Sequence, residues 1–328
     1  MSARPPILFF GKLPGRGDFV RSSGHAALIQ SLDRWLSSGI ELLAEDAHWK
    51  QVYDQAGTAH FAMISAHRHT AIAGHLVPTA DVSGRRFPFL TASQVEPESG
   101  AGFMALAPLV LWPVWRQLAA AAVRAVSASE AAAGDALAAL AQTEQPEPVP
   151  LPQARQQYQQ FLEQTSLGTL LRDLADVGDP IDLRQTLLAL GLLLQPLLVS
   201  AGQAVDKGLR LPLPRDPVSR PLVATFWMDL VTRFVGRTAH DLTLFQMSGE
   251  QPGGELLISL SAGTASALHG LLDTRVTDSV FLRLNESAWV EPYVVEDYAL
   301  KKLSSYLQMP QLSLAQVMDT FNEAYLGT

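Results

Sequence analysis

Ile7-Leu8-Phe9-Phe10-Gly11-Lys12-Leu13-Pro14-Gly15-Arg16-Gly17-Asp18 begins with a short apolar run and breaks at once into a loop of glycines and charges. A bounded apolar run of this length predicts a buried strand, and the glycines and Pro14 predict a tight turn after it. From about His25 to Glu45, Leu28, Leu32, Trp35, Leu36, Ile40 and Leu43 recur at helical spacing between polar residues. That pattern predicts an amphipathic helix lying on a sheet. Phe61–Ser65 and Thr70–Val77 then predict a strand pair, and Phe87–Ser93 a further strand beyond a turn at Ser83-Gly84. Ala-rich helices are expected over Ala105–Val126 and Ser129–Gln142, with Pro108 and Pro113 complicating the first. Strand, helix, strands, helices in this order give an α/β layered domain over residues 1–141.

Pro146, Pro148, Pro150 and Pro152 alternate within residues 142–153, which predicts an extended, solvated linker and a domain boundary. Residues 154–328 form the expected second domain, α+β or α/β. Helices are predicted at Arg155–Leu174, Leu183–Val199, Leu222–Val235 and Ser313–Tyr325. Strands are predicted at Leu242–Met247 and Glu255–Leu260, which form a hairpin, and at Val276–Leu284. The prolines of Gly208–Pro214 argue against a regular element there.

The 328 residues are 48% hydrophobic and 17% charged, a balance that argues for two globular domains rather than disorder. A net charge of -8 without any basic run disfavours nucleic acid as a partner. With no cysteine, disulfides, thiolate nucleophiles and the commonest zinc sites are excluded. The start of the chain lacks a signal-peptide core, and the apolar segment Leu187–Val199 falls short of the roughly 20 residues that span a bilayer. A cytoplasmic protein without a membrane span is expected.

Among motifs, the Gly11–Asp18 loop invites a nucleotide or small-ligand sensor reading. It lacks the Gly-Lys-Ser/Thr ending of a P-loop, and a tight structural loop is the plainer reading. His67, His69 and His75 on neighbouring strands, with Asp81, give a metal-assisted hydrolase as the rival from another class; His67-Arg68-His69 equally fits a polar turn. No Gly-x-Ser-x-Gly elbow is present. In the second loop, Asp81-Val82-Ser83-Gly84-Arg85-Arg86-Phe87-Pro88, the charges are placed to pair across to Arg16 and Asp18 of the first. Lys12, Arg16, Asp18, Asp81, Arg85 and Arg86 are thus the candidate partner-binding or loop-pairing residues. Gly11, Pro14, Gly17, Gly84 and Pro88 are the candidate loop-shaping residues. Neither a metal nor a cofactor is expected.

Gly11–Val20 and Asp81–Pro88 together resemble the paired signatures of the TagF family, also called ImpM, of type VI secretion accessory proteins. Gly15 departs from the family's usual serine, which adds flexibility to the loop and leaves the charged residues intact. Asp33-Arg34-Trp35-Leu36 and the Trp49–Phe61 stretch resemble the family's Trp-Leu helix and the positions that follow. Gly208–Pro214 and Thr225–Val231 resemble the C-terminal extension of longer members. The resemblance implies a three-layer αβα N-terminal domain and no catalysis. It further implies post-translational regulation, with some members repressing secretion by binding the system's forkhead-associated scaffold protein. A link to the phosphorylation pathway follows from members joined to a phosphatase, although no phosphatase domain is visible here.

Overall fold

A computed structural model describes residues 4–65, 70–96, 100–175, 180–199, 207–235, 240–248 and 254–327. The opening apolar run becomes strand β1 (Leu8–Gly11), buried throughout, and the charged loop returns through the short β2 (Val20–Arg21). Helix α1 (Ala26–Leu43) turns Ile29, Leu32, Trp35, Leu36 and Leu43 inward, as its spacing predicts. After α2 (Trp49–Gln55) comes a meander of β3 (Thr58–Ile64), β4 (Ala71–Val77) and β5 (Phe89–Val95). Then follow α3 (Gly100–Val126), which runs through both of its prolines, and α4 (Ala133–Gln142). The second half opens with α5 (Leu151–Gln164), α6 (Leu167–Ala175), α7 (Leu183–Leu194) and α8 (Pro196–Val199). It continues through β6 (Gly208–Leu213), α9 (Arg220–Val235), β7 (Leu242–Ser248) and β8 (Gly254–Ser259). The chain closes with α10 (Ala265–Leu272), α11 (Thr277–Val280), β9 (Phe281–Arg283), α12 (Glu291–Glu296), α13 (Tyr298–Tyr306) and α14 (Leu314–Leu326).

Among the described residues all nine strands join one mixed sheet in the order β2-β1-β5-β4-β3-β7-β8-β6-β9. Helices cover both faces, which makes the molecule a three-layer α/β/α structure. One face carries Phe9, Ala62, Phe89, Leu244 and Ile258 under α3, α5, α7, α9 and α14. The other carries Leu8, Phe61, Leu90, Phe245 and Leu257 under α1 and α10.

The halves expected to be separate domains share this sheet. β3 pairs with β7 along its whole length, from Thr58↔Ser248 to Ile64↔Leu242. Trp35 of α1 sits over that junction, its ring centroid 5.3 Å from Phe61 and 6.2 Å from Phe245, and its indole N–H donates to the Thr264 carbonyl. Residues 142–153 are extended, as their prolines require, but they are not a solvated spacer. Ile7 donates to the Thr143 carbonyl, Gln145 to that of Pro5 and Val149 to that of Val110. Gln145 is buried against Ser93.

Three further expectations are corrected. Gly208–Pro214 is largely the strand β6, because β9 pairs only with Gly208, Leu209 and Arg210, so that Pro212 lies where no N–H is required on that side. The predicted helix Arg155–Leu174 is two helices, because backbone groups at Thr165 and Leu167 bond Leu314 and Leu312 instead of continuing the turn. In Val276–Leu284 only Phe281–Arg283 is strand.

Among the described residues one helical stretch, Gly102–Val126, has the length and apolarity to cross a membrane. Here Phe103, Val110, Val114, Trp115, Leu118 and Ala122 are buried in the core of the first face. On the second face α1 approaches α10 closely at Gly39, where a Cβ would stand 2.5 Å from Leu268 Cδ2. Gly39→Val is expected to destabilise the protein by about 1–3 kcal/mol through overpacking, less a few tenths regained in helix propensity. Urea unfolding checks this; an unchanged midpoint would mean the helices separate freely.

Candidate functional site

The two charged loops meet at the end of β1 and β5, and a buried carboxylate locks them together. The Lys12 ammonium donates to Asp81 Oδ2 at 2.7 Å, and Arg85 Nε donates to the same oxygen at 2.6 Å. Asp81 Oδ1 accepts the backbone N–H groups of Ser83 and Arg85, both at 2.9 Å. The Asp81 side chain is fully buried and that of Lys12 nearly so. Burial alone would raise the Asp81 pKa. The Lys12 hydrogen bond, the two backbone donors and Arg85 outweigh it and hold the carboxyl well below the usual range. Around this core the Arg85 guanidinium reaches the Gly17 carbonyl, and Val82 N–H donates to the Arg16 carbonyl at 3.1 Å. Thr79 Oγ1 bridges the carbonyls of Lys12 and Phe87 at 2.8 and 2.9 Å, and Thr79 N–H donates to the Tyr53 hydroxyl.

The pairing therefore differs from that read in the sequence. Lys12, not Arg16, is the first loop's cation for Asp81. Arg16 and Asp18 are exposed, and neither has an ion-pair partner among the described residues. The Arg16 guanidinium instead lies on α4 over Gly134, at 2.7 Å from where a Cβ would stand. Arg86 turns away from the first loop and makes a two-pronged pair with Asp54 of α2 at 2.7 and 2.6 Å. Beside Asp18, Phe19 is half exposed, stacked on Phe10 and edge-on to Phe87, with the Lys12 ammonium 5.0 Å from its centroid. Val82 is also exposed. The loop core is rigid, and its outer surface presents Arg16, Asp18, Phe19 and Val82.

Two glycines carry this geometry. Gly11 has φ +132°, and a Cβ there would lie 2.0 Å from the Pro88 carbonyl oxygen, so the loops approach backbone to backbone. Gly84 has φ +75° and closes the turn in which its N–H donates to the Asp81 carbonyl at 2.8 Å. Gly17 has ordinary space for a side chain. Pro14 is exposed. Gly15 is a site of close packing rather than added flexibility, since a Cβ would stand 3.0 Å from that of Ala133 and 3.1 Å from Glu130 Cα.

His67 and His69 lie outside the described residues. His75 is buried and meets His60 of β3, Nδ1 to Nδ1 at 3.2 Å, rather than Asp81. Burial holds His60 well below the usual histidine range, with His75 and Arg220 adding to it, and burial brings His75 down to about 4. The pair is neutral near pH 7, with one ring donating to the other, and His60 stacks on Trp115. Among the described residues no three His, Cys, Asp or Glu side chains gather as a metal site would require. Lys12, the loop's lysine, is committed to Asp81 and not turned toward a phosphate.

Sequence reasoning missed Tyr53, Asp54 and Thr79, which buttress the loops. Tyr53 and Asp54 lie in the Trp49–Phe61 stretch, but nothing in its spacing assigned them to the loops, and all three are placed there by the fold. Fold and loop pair together define a three-layer α/β protein with a carboxylate-locked loop face at one end of its sheet. Residues 9–143 match the family model described as TagF N-terminal domain, Type VI secretion system-associated. Over those residues the chain thus carries a TagF N-terminal domain, which is type VI secretion system-associated. No curated protein matches it. Among solved structures, that of PA0076 from Pseudomonas aeruginosa PAO1 is similar, at 18% identity and a TM-score of 0.46, covering 82% of this chain and 94% of that one.

Proposed function

We propose that this protein is a non-catalytic, cytoplasmic regulator of a type VI secretion system. It acts post-translationally, as a repressor, by docking onto the system's forkhead-associated scaffold through the face formed by the two loops. The observation that carries this reading is the division of labour within the family's paired signatures. Lys12 and Asp81 are buried and hold the loops, with the exposed Arg85 folded back onto Asp81, while Arg16, Asp18, Phe19 and Val82 are left to the surface. A preorganised surface of that kind suits recognition, because little ordering remains to oppose binding. A half-exposed phenylalanine flanked by opposite charges suits the centre of a contact better than a solvated loop.

The test is titration calorimetry of the full chain against the forkhead-associated scaffold of its own secretion cluster, with Asp18→Ala and Phe19→Ala alongside. Both variants should keep the wild-type melting temperature within about 2 °C, since their side chains are largely solvent-facing. Affinity should fall about tenfold or more for Phe19→Ala. Equal affinity in all three proteins would move the docking face elsewhere. No saturable binding at high micromolar concentration would remove the scaffold as the partner and leave the phosphorylation pathway's components to test.

A further inference from the structure

Exposed large hydrophobic side chains concentrate in one short stretch of the C-terminal half, far in sequence from the loops. Trp289, Tyr293, Val295 and Tyr298 are each between 44% and 83% exposed. The helices that carry them are firmly seated. Val294 and Leu300 are buried, Asp297 caps α13 by accepting from Ala299 and Leu300 N–H, and Glu291 is held by Arg184 of α7. The aromatics are therefore displayed on a fixed support. Trp289 and Tyr293 meet edge to face with centroids 6.1 Å apart.

Beside Tyr293 lies a groove of about 630 Å³ between α8, α12, α13 and the end of α14. Pro196, Leu300 and Tyr325 give it apolar walls, and Glu296 and Asp297 stand at its rim with Tyr293. Among the described residues Glu296 has no salt-bridge partner. Asp297 uses its carboxylate on backbone N–H groups alone. An aromatic face, unneutralised carboxylates and an apolar wall in one place match the three parts of a lysine or arginine side chain. The rings meet the cation, the carboxylates its charge and the walls its methylene stem. The chain's net charge of -8 reinforces the same sign of partner.

We propose that this groove and the Trp289–Tyr293 aromatic strip form a second docking surface, which receives a lysine- or arginine-bearing segment of a partner protein. It is independent of the loop face, and either can fail without the other.

Fluorescence anisotropy tests it with the full chain at physiological ionic strength. The probe is a short fluorescein-labelled peptide of alternating arginine and leucine, with the glutamate-leucine peptide as control. The basic peptide should bind saturably and the acidic one should not. Tyr293→Ala and Glu296→Lys should each weaken binding about tenfold. Glu130→Lys, an equal charge change on an exposed residue near α4, should leave it within about twofold. Since Tyr293 and Glu296 are exposed, circular dichroism melting should confirm that the variants are folded. Absence of saturable binding overturns the proposal, as does equal weakening by Glu130→Lys, which would mean diffuse charge attraction. A third overturning result is binding to anionic phospholipid vesicles that Tyr293→Ala abolishes while peptide binding stays as in wild type, since the strip would then be a membrane contact.

Discussion

Asp81→Ala is expected to lower the melting temperature by about 5–10 °C at neutral pH, among the largest effects of any single substitution near the loops. The substitution leaves the Lys12 ammonium buried without a counter-charge and strips the Ser83 and Arg85 N–H groups of their acceptor. Removing one partner of a buried pair costs more than the pair contributes, because the survivor keeps its desolvation penalty. Asp81→Asn should retain the two backbone hydrogen bonds and lose only the charge, and should fall between alanine and wild type. Adding Lys12→Met to Asp81→Leu should recover part of the loss, since the orphaned cation is then gone too. If the double variant is no better than Asp81→Leu alone, the ammonium was not the source of the instability.

The acid dependence has a defined sign. The folded-state pKa of Asp81 is depressed relative to the unfolded chain, so its contribution is fully present above about pH 4 and is lost as pH falls below that. The gap in melting temperature between wild type and Asp81→Ala should be constant from neutral pH down to about pH 5 and narrow in more acid solution. A gap that widens on acidification would contradict this assignment.

Much of the N-terminal half was legible because its apolar spacing is regular. β1, α1, the β3–β4–β5 meander and α3 all fall within a few residues of where periodicity puts them. The loops were legible as a pair, yet their partners were not. Lys12 and Arg16 are both plausible cations for Asp81 by sequence, and only the backbone contact at Gly11 decides between them by bringing Lys12 beneath the second loop. Arg86 was grouped with Arg85 by adjacency, although neighbouring residues on an extended backbone point to opposite sides. That alternation sends Arg86 to Asp54 of α2. Proline misled twice in the second half. It marks β6, where the neighbouring strand is too short to need the missing N–H, and residues 142–153, where it enforces extension without solvation.

Cutting the chain after residue 150 is expected to yield a fragment that does not remain a folded, soluble monomer. The argument rests on the sheet's edges. The outer strands of the intact molecule are β2 and β9, of two and three residues, which leave little backbone open to another chain. Removing the second half opens β3 instead, seven residues long and largely apolar, with all its bonds to β7 lost. It also uncovers Trp35 and Phe61 from Phe245 and α10 on one face, and α3 from α9 on the other. The family signature ends at residue 143, but the hydrophobic core does not. The fragment should be insoluble or should dimerise by pairing β3 with its own copy, because an antiparallel pair with two-fold symmetry reproduces the kind of ladder β7 provides. Co-expression with residues 151–328 should restore a soluble 1:1 complex. Light scattering with thermal melting decides: a monomeric fragment with a cooperative transition would show that the N-terminal half stabilises itself without the β3–β7 junction.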